Sequence, residues 1–117
     1  MRNPKIYIGP MSKNIVDCCI EFSRNSSHKI GLIPSRRQIE KRGGYVNNWN
    51  TQDFAHYSDD LILKRDHAGP NQGQEDDDGF ESLEEDCRHF DYIHIDPWKK
   101  YPDYKRGLQW KIGRAHV

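Results

Sequence analysis

Two adjacent residues, Asp66 and His67, offer the most distinct chemistry in this sequence. An imidazole binds divalent metal ions, and a neighbouring carboxylate transfers a proton or holds a hydroxyl group. The pair follows the apolar run Leu61–Leu63, so it stands where a buried strand would end. We therefore predict Asp66 as an acid or base and His67 as a metal ligand or substrate contact. The alternative is structural, with His67 bound to a loop carbonyl and Asp66 capping a turn.

A second group of residues suits phosphate. It consists of basic residues followed by two glycines: Arg36, Arg37, Lys41, Arg42, Gly43 and Gly44. Guanidinium groups bind phosphate through paired hydrogen bonds, and glycine lets backbone N–H groups approach an anion. The spacing of a nucleotide-binding loop is missing, so a flexible loop with a solvated charge cluster fits the same residues. We predict that this loop binds phosphate, with Arg36 as a main contact.

The elements that must position these groups alternate between strands and helices. Short β-branched and aromatic runs predict four strands, at Lys5–Ile8, Lys29–Ile33, Leu61–Leu63 and Tyr92–Ile95. Apolar residues at helical spacing predict one helix capped by Ser12, with an inward stripe of Ile15, Cys18, Cys19 and Phe22. Two further helices are predicted, one capped by Thr51 and running through Tyr57, and one over Phe80–Phe90.

This alternation predicts an α/β fold with parallel strands, in about four βα units. In such folds the loops after the carboxyl ends of the strands carry the chemistry, in a closed barrel and in an open doubly wound sheet alike. Asp66-His67 follows the third strand and Asp96 the fourth, so we expect them to share one mouth with the phosphate loop. His94 alternates with two isoleucines, and its face, a barrel interior or a helix interface, stays open.

Composition limits the classes of protein that remain. The chain has 117 residues, which leaves room for one domain, and its 18 basic and 18 acidic residues cancel. A neutral chain argues against nucleic-acid and anionic-membrane partners. It has no apolar signal stretch and no run near the roughly 20 residues needed to cross a bilayer. Its three cysteines form no even framework. We expect a cytoplasmic protein.

One set of motifs runs from residue 35 to residue 71. In order, the motifs are Ser35-Arg36-Arg37-Gln38, Gly43-Gly44-Tyr45, Thr51-Gln52-Asp53-Phe54, Leu61-Ile62-Leu63 and Asp66-His67-Ala68-Gly69-Pro70-Asn71. Their order and approximate spacing resemble the non-catalytic subunit family of tagatose-bisphosphate aldolase. The resemblance implies the N-terminal half of a TIM barrel, related to the metal-dependent class II aldolases. In those enzymes a strand ends in a similar Asp-His pair, whose aspartate is an acid and whose histidine binds zinc.

Carried onto this chain, the resemblance implies a sugar-phosphate aldolase of carbohydrate metabolism, acting on a ketose bisphosphate such as tagatose bisphosphate. Asp66 becomes the catalytic residue, and His67 becomes the ligand of a divalent metal such as zinc. The expected substrate contacts, including Asp96 at the fourth strand end, are Ser35, Arg36, Gln38, Gly43, Gly44, Tyr45, Asn71 and Asp96.

The family's non-catalytic name leaves a second interpretation open. The chain would then be a barrel subunit without activity of its own that stabilises a catalytic aldolase partner, or that associates with copies of itself. Family members commonly carry glycines where this chain has Lys64-Arg65, and tend to carry an acidic residue where it has Ile33-Pro34-Ser35. In this interpretation Arg65 pairs with Asp66 and replaces a lost metal site.

The last six residues form a separate segment. Residues 112–117, with the sequence IGRAHV, read like the translation of a sequencing-library adapter, whereas residues 1–111 read as natural protein. We therefore expect a partial TIM-barrel domain over 1–111 and a longer natural protein. The alternative is a genuine basic tail.

Overall fold

A computed structural model describes residues 4–114, which form alternating strands and helices. The strands are β1 (Ile6–Ile8), β2 (Ile30–Leu32), β3 (Ile62–Ala68) and β4 (Tyr92–Ile95). The helices are α1 (Lys13–Asn25), α2 (Thr51–Tyr57), α3 (Phe80–His89) and α4 (Tyr104–Arg114). The predicted α/β alternation is therefore confirmed.

The four strands form one parallel sheet in the order β1-β2-β3-β4. Ile6 pairs with Ile30, Gly31 with Ile62, and Lys64 with Tyr92, so neighbouring strands run in the same direction throughout. Parallel strands cannot be joined by hairpins, and each connection here contains a helix. All four carboxyl ends consequently lie along one edge of the sheet.

One face of the sheet packs against the helices. Its apolar core joins Val16, Cys19 and Ile20 of α1 and Phe54 of α2 to Leu32 and Leu63 of the sheet. On α3, Leu83 and Asp86 are buried as well. Sequential strand order with helices on one face is compatible with half of a (β/α) barrel, in which the other face would point inward.

The other face of the sheet, here called the second face, contributes no residue to the buried apolar cluster. Strand pairing and alternation assign it Tyr7, Gly31, Ile62, Lys64 and Tyr92, with Asp66 and His94 nearer the carboxyl edge. In β3 the helix-facing Leu63 and Arg65 are buried, whereas Ile62, Lys64 and Asp66 remain partly exposed. The second face is thus the more polar one.

Three details of the sequence prediction are wrong. In α1 the predicted Cys19 is buried and Ile15 packs partly buried against the core, but Cys18 and Phe22 are exposed, and Val16 and Ile20 are buried in their place. The cap of α2 is Asn50, whose side-chain oxygen accepts the Asp53 N–H group, and not Thr51. Strand β3 is longer than Leu61–Leu63 because Lys64 and Arg65 pair with β4.

No helix within residues 4–114 is long and apolar enough to cross a membrane. Helix α4 continues through Arg114, so it includes the first three residues of the segment that resembles an adapter. Residues 115–117 of that segment lie outside the described part of the chain.

Candidate metal centre

The carboxyl end of β3 has an irregular backbone. Its pairing with β4 shifts between Arg65 and Ala68, and His67 has a φ of 49°. A non-glycine residue in this left-handed region is uncommon and carries strain that the surroundings must hold. Here the Asp66 N–H donates to the Pro34 carbonyl at 3.0 Å, and the Asp96 N–H donates to the Ala68 carbonyl at 2.7 Å. These bonds fix the strand end on both sides of His67.

Asp96, directly after β4, orients the His67 imidazole. Its Oδ2 lies 2.6 Å from Nδ1 of His67, and its Oδ1 accepts the Trp98 N–H at 3.1 Å. Burial by itself raises the pKa of Asp96. The hydrogen bonds from His67 and Trp98, together with the nearby His94, outweigh that effect, so the pKa lies below its usual value. In the tautomer with its proton on Nδ1, His67 donates to Asp96, and Nε2 carries the lone pair that a metal ion needs.

Three side chains meet beside this pair. Nε2 of His67 is 3.4 Å from Oδ1 of Asp66, and Nδ1 of His94 is 3.9 Å from the same oxygen. The rings of His67 and His94 are 4.8 Å apart between centroids. One ligand atom from each of the three residues lies within 4.8 Å of the other two. We call Asp66, His67 and His94 the Asp-His-His cluster.

The donor set fits a divalent transition metal. Two imidazoles and one carboxylate suit Zn²⁺, Fe²⁺ and related ions, and three protein ligands leave further positions for water or substrate. A carboxylate behind a metal-ligating histidine fixes the ring and its tautomer, and Asp96 stands in that relation to His67. The side chains of His67 and His94 are 49% and 45% exposed, so a small molecule can reach them.

Arg65 does not pair with Asp66, contrary to the interpretation of a lost metal site. Its side chain is fully buried on the helix-facing side of β3, where Nε and Nη2 donate to the two oxygens of Asp86, each at 2.9 Å. It also donates to the Ser35 carbonyl at 2.8 Å and lies over the Phe90 ring. The reason is strand alternation, which points Arg65 and Asp66 to opposite faces.

Arg36 is also used within the protein. It is 5% exposed and donates to Glu40, the Gly69 carbonyl, Asp77 and Ser82 at 2.5–3.0 Å. A guanidinium with four protein acceptors has little capacity left for a phosphate. This geometry disfavours the predicted role of Arg36 as a substrate contact and makes it a connection between the loops after β2 and β3.

The backbone N–H groups around Gly43 and Gly44 are also used within the protein. The N–H groups of Gly43 and Gly44 donate to the carbonyls of Glu40 and Trp49, at 2.9 and 3.0 Å. The N–H of Tyr45 donates to the Arg37 carbonyl, while its ring is exposed. A Cβ on Gly44 would lie 2.0 Å from the Gln38 carbonyl oxygen, so the glycine serves close backbone packing. These amides are turned inward, which disfavours a phosphate cradle here.

The remaining predicted contacts are local. Gln38 is buried, accepts the Ser35 N–H at 2.9 Å, and donates to Met11 in the loop after β1. Asn71 has a φ of 62°, and among the described residues 4–114 its buried side-chain oxygen has no hydrogen-bond partner. Ser35 and Gln38 therefore brace the loop after β2.

A hollow of about 710 Å³ lies between the loops after β2 and β3. Arg36, Gly43, Gly44 and Tyr45 line it, but no member of the Asp-His-His cluster does. The predicted phosphate loop and the predicted metal ligand thus lie in two separate regions, although both are at the carboxyl edge of the sheet. His94 was not among the predicted metal ligands. The available signal was its position in the strand Tyr92–Ile95, which lies next to the strand that carries Asp66-His67.

Comparisons with known proteins add no identification. No family model matches the chain, and no curated protein matches it. The class that fold and site define is an α/β protein with a parallel sheet and a candidate metal centre at its carboxyl edge.

Proposed function

We propose that this protein is a metal-dependent lyase of the aldolase type that acts on a phosphorylated ketose. The observation that carries the proposal is the Asp-His-His cluster at the carboxyl edge, with His67 oriented by Asp96. The resemblance of Asp66-His67 and its surrounding motifs to the aldolase-related family supports the reaction class. A TIM barrel, of which these four units would form one half, belongs to the same proposal.

In this proposal, Asp66, His67 and His94 would hold the cation, and Asp96 keeps Nε2 of His67 available for it. A bound divalent cation polarises a carbonyl oxygen as a Lewis acid, which is the assistance that cleavage of an aldol needs. In this proposal Asp66 coordinates the cation instead of transferring a proton. Its Oδ1 lies 3.4 Å from Nε2 of His67 and 3.9 Å from Nδ1 of His94.

A second candidate is the helper subunit that stabilises a catalytic aldolase. The observation that favours it is the internal use of the predicted phosphate contacts, namely Arg36 and the amides of Gly43 and Gly44. A subunit without a substrate has no need of a free phosphate site. The two candidates differ in metal content and in turnover without a partner.

The test is elemental analysis of protein purified with zinc present, combined with cleavage of tagatose bisphosphate and fructose bisphosphate in the absence of any partner. We expect near-stoichiometric metal and measurable cleavage, both lost in His67→Ala. His56→Ala, an exposed histidine in α2, is the control and should change neither. Metal without cleavage would reject the lyase and keep the metal centre. Absence of both would favour the helper subunit.

A further inference from the structure

Lys64 is a cation on the second face without a carboxylate partner. Within residues 4–114 its ammonium group makes no ion pair, and it lies 5.4 Å from the centroid of the Tyr7 ring. The two buried arginines near the carboxyl edge are engaged with carboxylates: Arg65 with Asp86, and Arg36 with Glu40 and Asp77. Lys64 therefore retains a charge that a ligand can use.

Beside Lys64, the second face carries an aromatic ring packed over a glycine. Tyr7, Gly31 and Ile62 form one row across β1, β2 and β3, and Gly31 carries no side chain. The Tyr7 ring lies over this glycine, since a Cβ there would be 2.7 Å from the ring. Lys64 lies one row nearer the carboxyl edge, opposite Tyr92. This part of the second face thus combines an ammonium group with a tyrosine on either side.

Lys64 is also close to the Asp-His-His cluster along the chain. It is two residues before Asp66 and on the same face, so the two Cα atoms are separated by roughly 6.6 Å of strand rise. An extended lysine side chain spans a similar length, which allows the ammonium group and the cluster to contact one small molecule at two points. The spacing between Lys64 and Asp66 is set by β3 alone.

We propose that Lys64 binds the phosphate group of the substrate whose carbonyl oxygen lies at the Asp-His-His cluster. This inference rests on the proposed function for the location of the carbonyl. An ammonium group binds phosphate as a point charge, and a charge-assisted hydrogen bond is stronger than a neutral one. The phosphate site is therefore on β3 itself and not in the loop after β2.

The surroundings of Lys64 suit an anion. Burial, with Tyr92 and Asp91 nearby, raises the pKa of Tyr7, so its hydroxyl stays neutral and can donate a hydrogen bond near neutral pH. Of the two carboxylates near Lys64, Asp66 belongs to the cluster, where a cation would neutralise it, and Asp91 accepts the Leu63 N–H at 2.9 Å. A substrate with a free hydroxyl in place of phosphate would lose the contact with Lys64.

The experiment measures binding of inorganic phosphate and of a ketose phosphate to the zinc-loaded protein by titration calorimetry. Lys64→Met should weaken both affinities by roughly 10–150-fold, the range of a hydrogen bond to a charged group. Lys64→Arg should restore most of the affinity, and binding of the unphosphorylated ketose should not change. Lys99→Met, an exposed lysine in the loop after β4, is the matched control for general charge and should bind like the wild type.

Three results would overturn the phosphate site. These are no phosphate binding by the wild type, equal binding by Lys64→Met, or equal weakening by Lys64→Met and Lys99→Met. Thermal melts of each variant separate lost affinity from lost folding, and Lys64→Arg gives a second variant if Lys64→Met unfolds. A wild type that binds phosphate through Lys64 but binds no metal would contradict the proposed function while keeping the anion site.

Discussion

Two groups of polar and charged side chains lie at or just after the carboxyl ends of β2, β3 and β4, and they differ in how many of their hydrogen bonds the protein itself supplies. In the first, Arg36 and Arg65 are buried and donate to acidic side chains and carbonyls. In the second, His67 and His94 are about half exposed, and Nε2 of His67 lies 3.4 Å from the Asp66 carboxylate. We call them the closed group and the open group.

The difference shows why residue type alone does not identify a site. Arginines beside glycines suggest phosphate binding in a sequence, yet a buried guanidinium must find protein acceptors, because an unpaired buried charge is costly. Once it has found them, it stabilises loops. Histidines at an exposed strand end carry no such requirement, and their ring nitrogens stay accessible to a ligand.

The largest expected effect is loss of stability when the closed group is broken. Arg65→Met leaves the buried Asp86 carboxylate without its partner and the Ser35 carbonyl without a donor, so unfolding free energy should fall by about 3–5 kcal/mol. Burial already raises the pKa of Asp86, against the opposing effect of Arg65, which adds to this cost. Urea denaturation followed by circular dichroism measures the change.

Two variants test the reason for that loss. In Arg65→Met with Asp86→Leu no buried carboxylate remains, so the double variant should recover part of the stability. Arg37 is an exposed arginine in the loop after β2, and the unfolding free energy of Arg37→Met should stay within about 0.5 kcal/mol of the wild type. If Arg65→Met were as stable as Arg37→Met, the distinction between closed and open groups would fail.

The second effect concerns metal and not stability. His94→Ala removes one nitrogen of the open group, so bound zinc should be lost while the urea midpoint changes little, since the side chain is 45% exposed. We expect a loss of affinity larger than the roughly 10–100-fold typical of a change outside the ligands. Competition with a coloured zinc chelator measures it.

Asp66→Asn separates the two roles considered for that carboxylate. Loss of zinc together with cleavage supports coordination, whereas retained zinc with lost cleavage would return Asp66 to proton transfer. A His94→Ala protein with wild-type zinc affinity would remove His94 from the centre.

The smallest effect is a pH dependence of stability through Asp96. Its pKa is lowered in the folded protein, so folding gains stability from the ionised carboxylate above the unfolded value of 3.8. That contribution is lost as the pH falls below 3.8 towards the folded pKa. At neutral pH the urea midpoint of the wild type should therefore exceed that of Asp96→Asn. As the pH falls below 3.8, the two midpoints should converge. A constant difference at all pH values would show that His67 and Asp96 do not form this hydrogen bond.

Much of the fold was predictable because it depends on local patterns. The strand Tyr92–Ile95 has the predicted bounds, and α3 starts at the predicted Phe80. Ser12 caps α1 as predicted, since a serine at a helix start can accept a free backbone N–H. The stripe of α1 was wrong at Cys18 and Phe22 because several apolar residues compete there, and only tertiary packing selects among them.

The sequence by itself determined that strands and helices alternate, and that Asp66, His67 and Asp96 lie near strand ends at one edge of a parallel sheet, although Asp66 and His67 turned out to be the last part of β3 and not to follow it. Those statements rest on residue spacing and on strand direction, which are local. Only the tertiary structure decided which charged groups are satisfied internally. Arg65 meets Asp86 across 21 positions, Arg36 meets Ser82 across 46, and His67 meets Asp96 across 29. No spacing rule reaches that far, because these partners are chosen by how α3 and the neighbouring strands pack against β3.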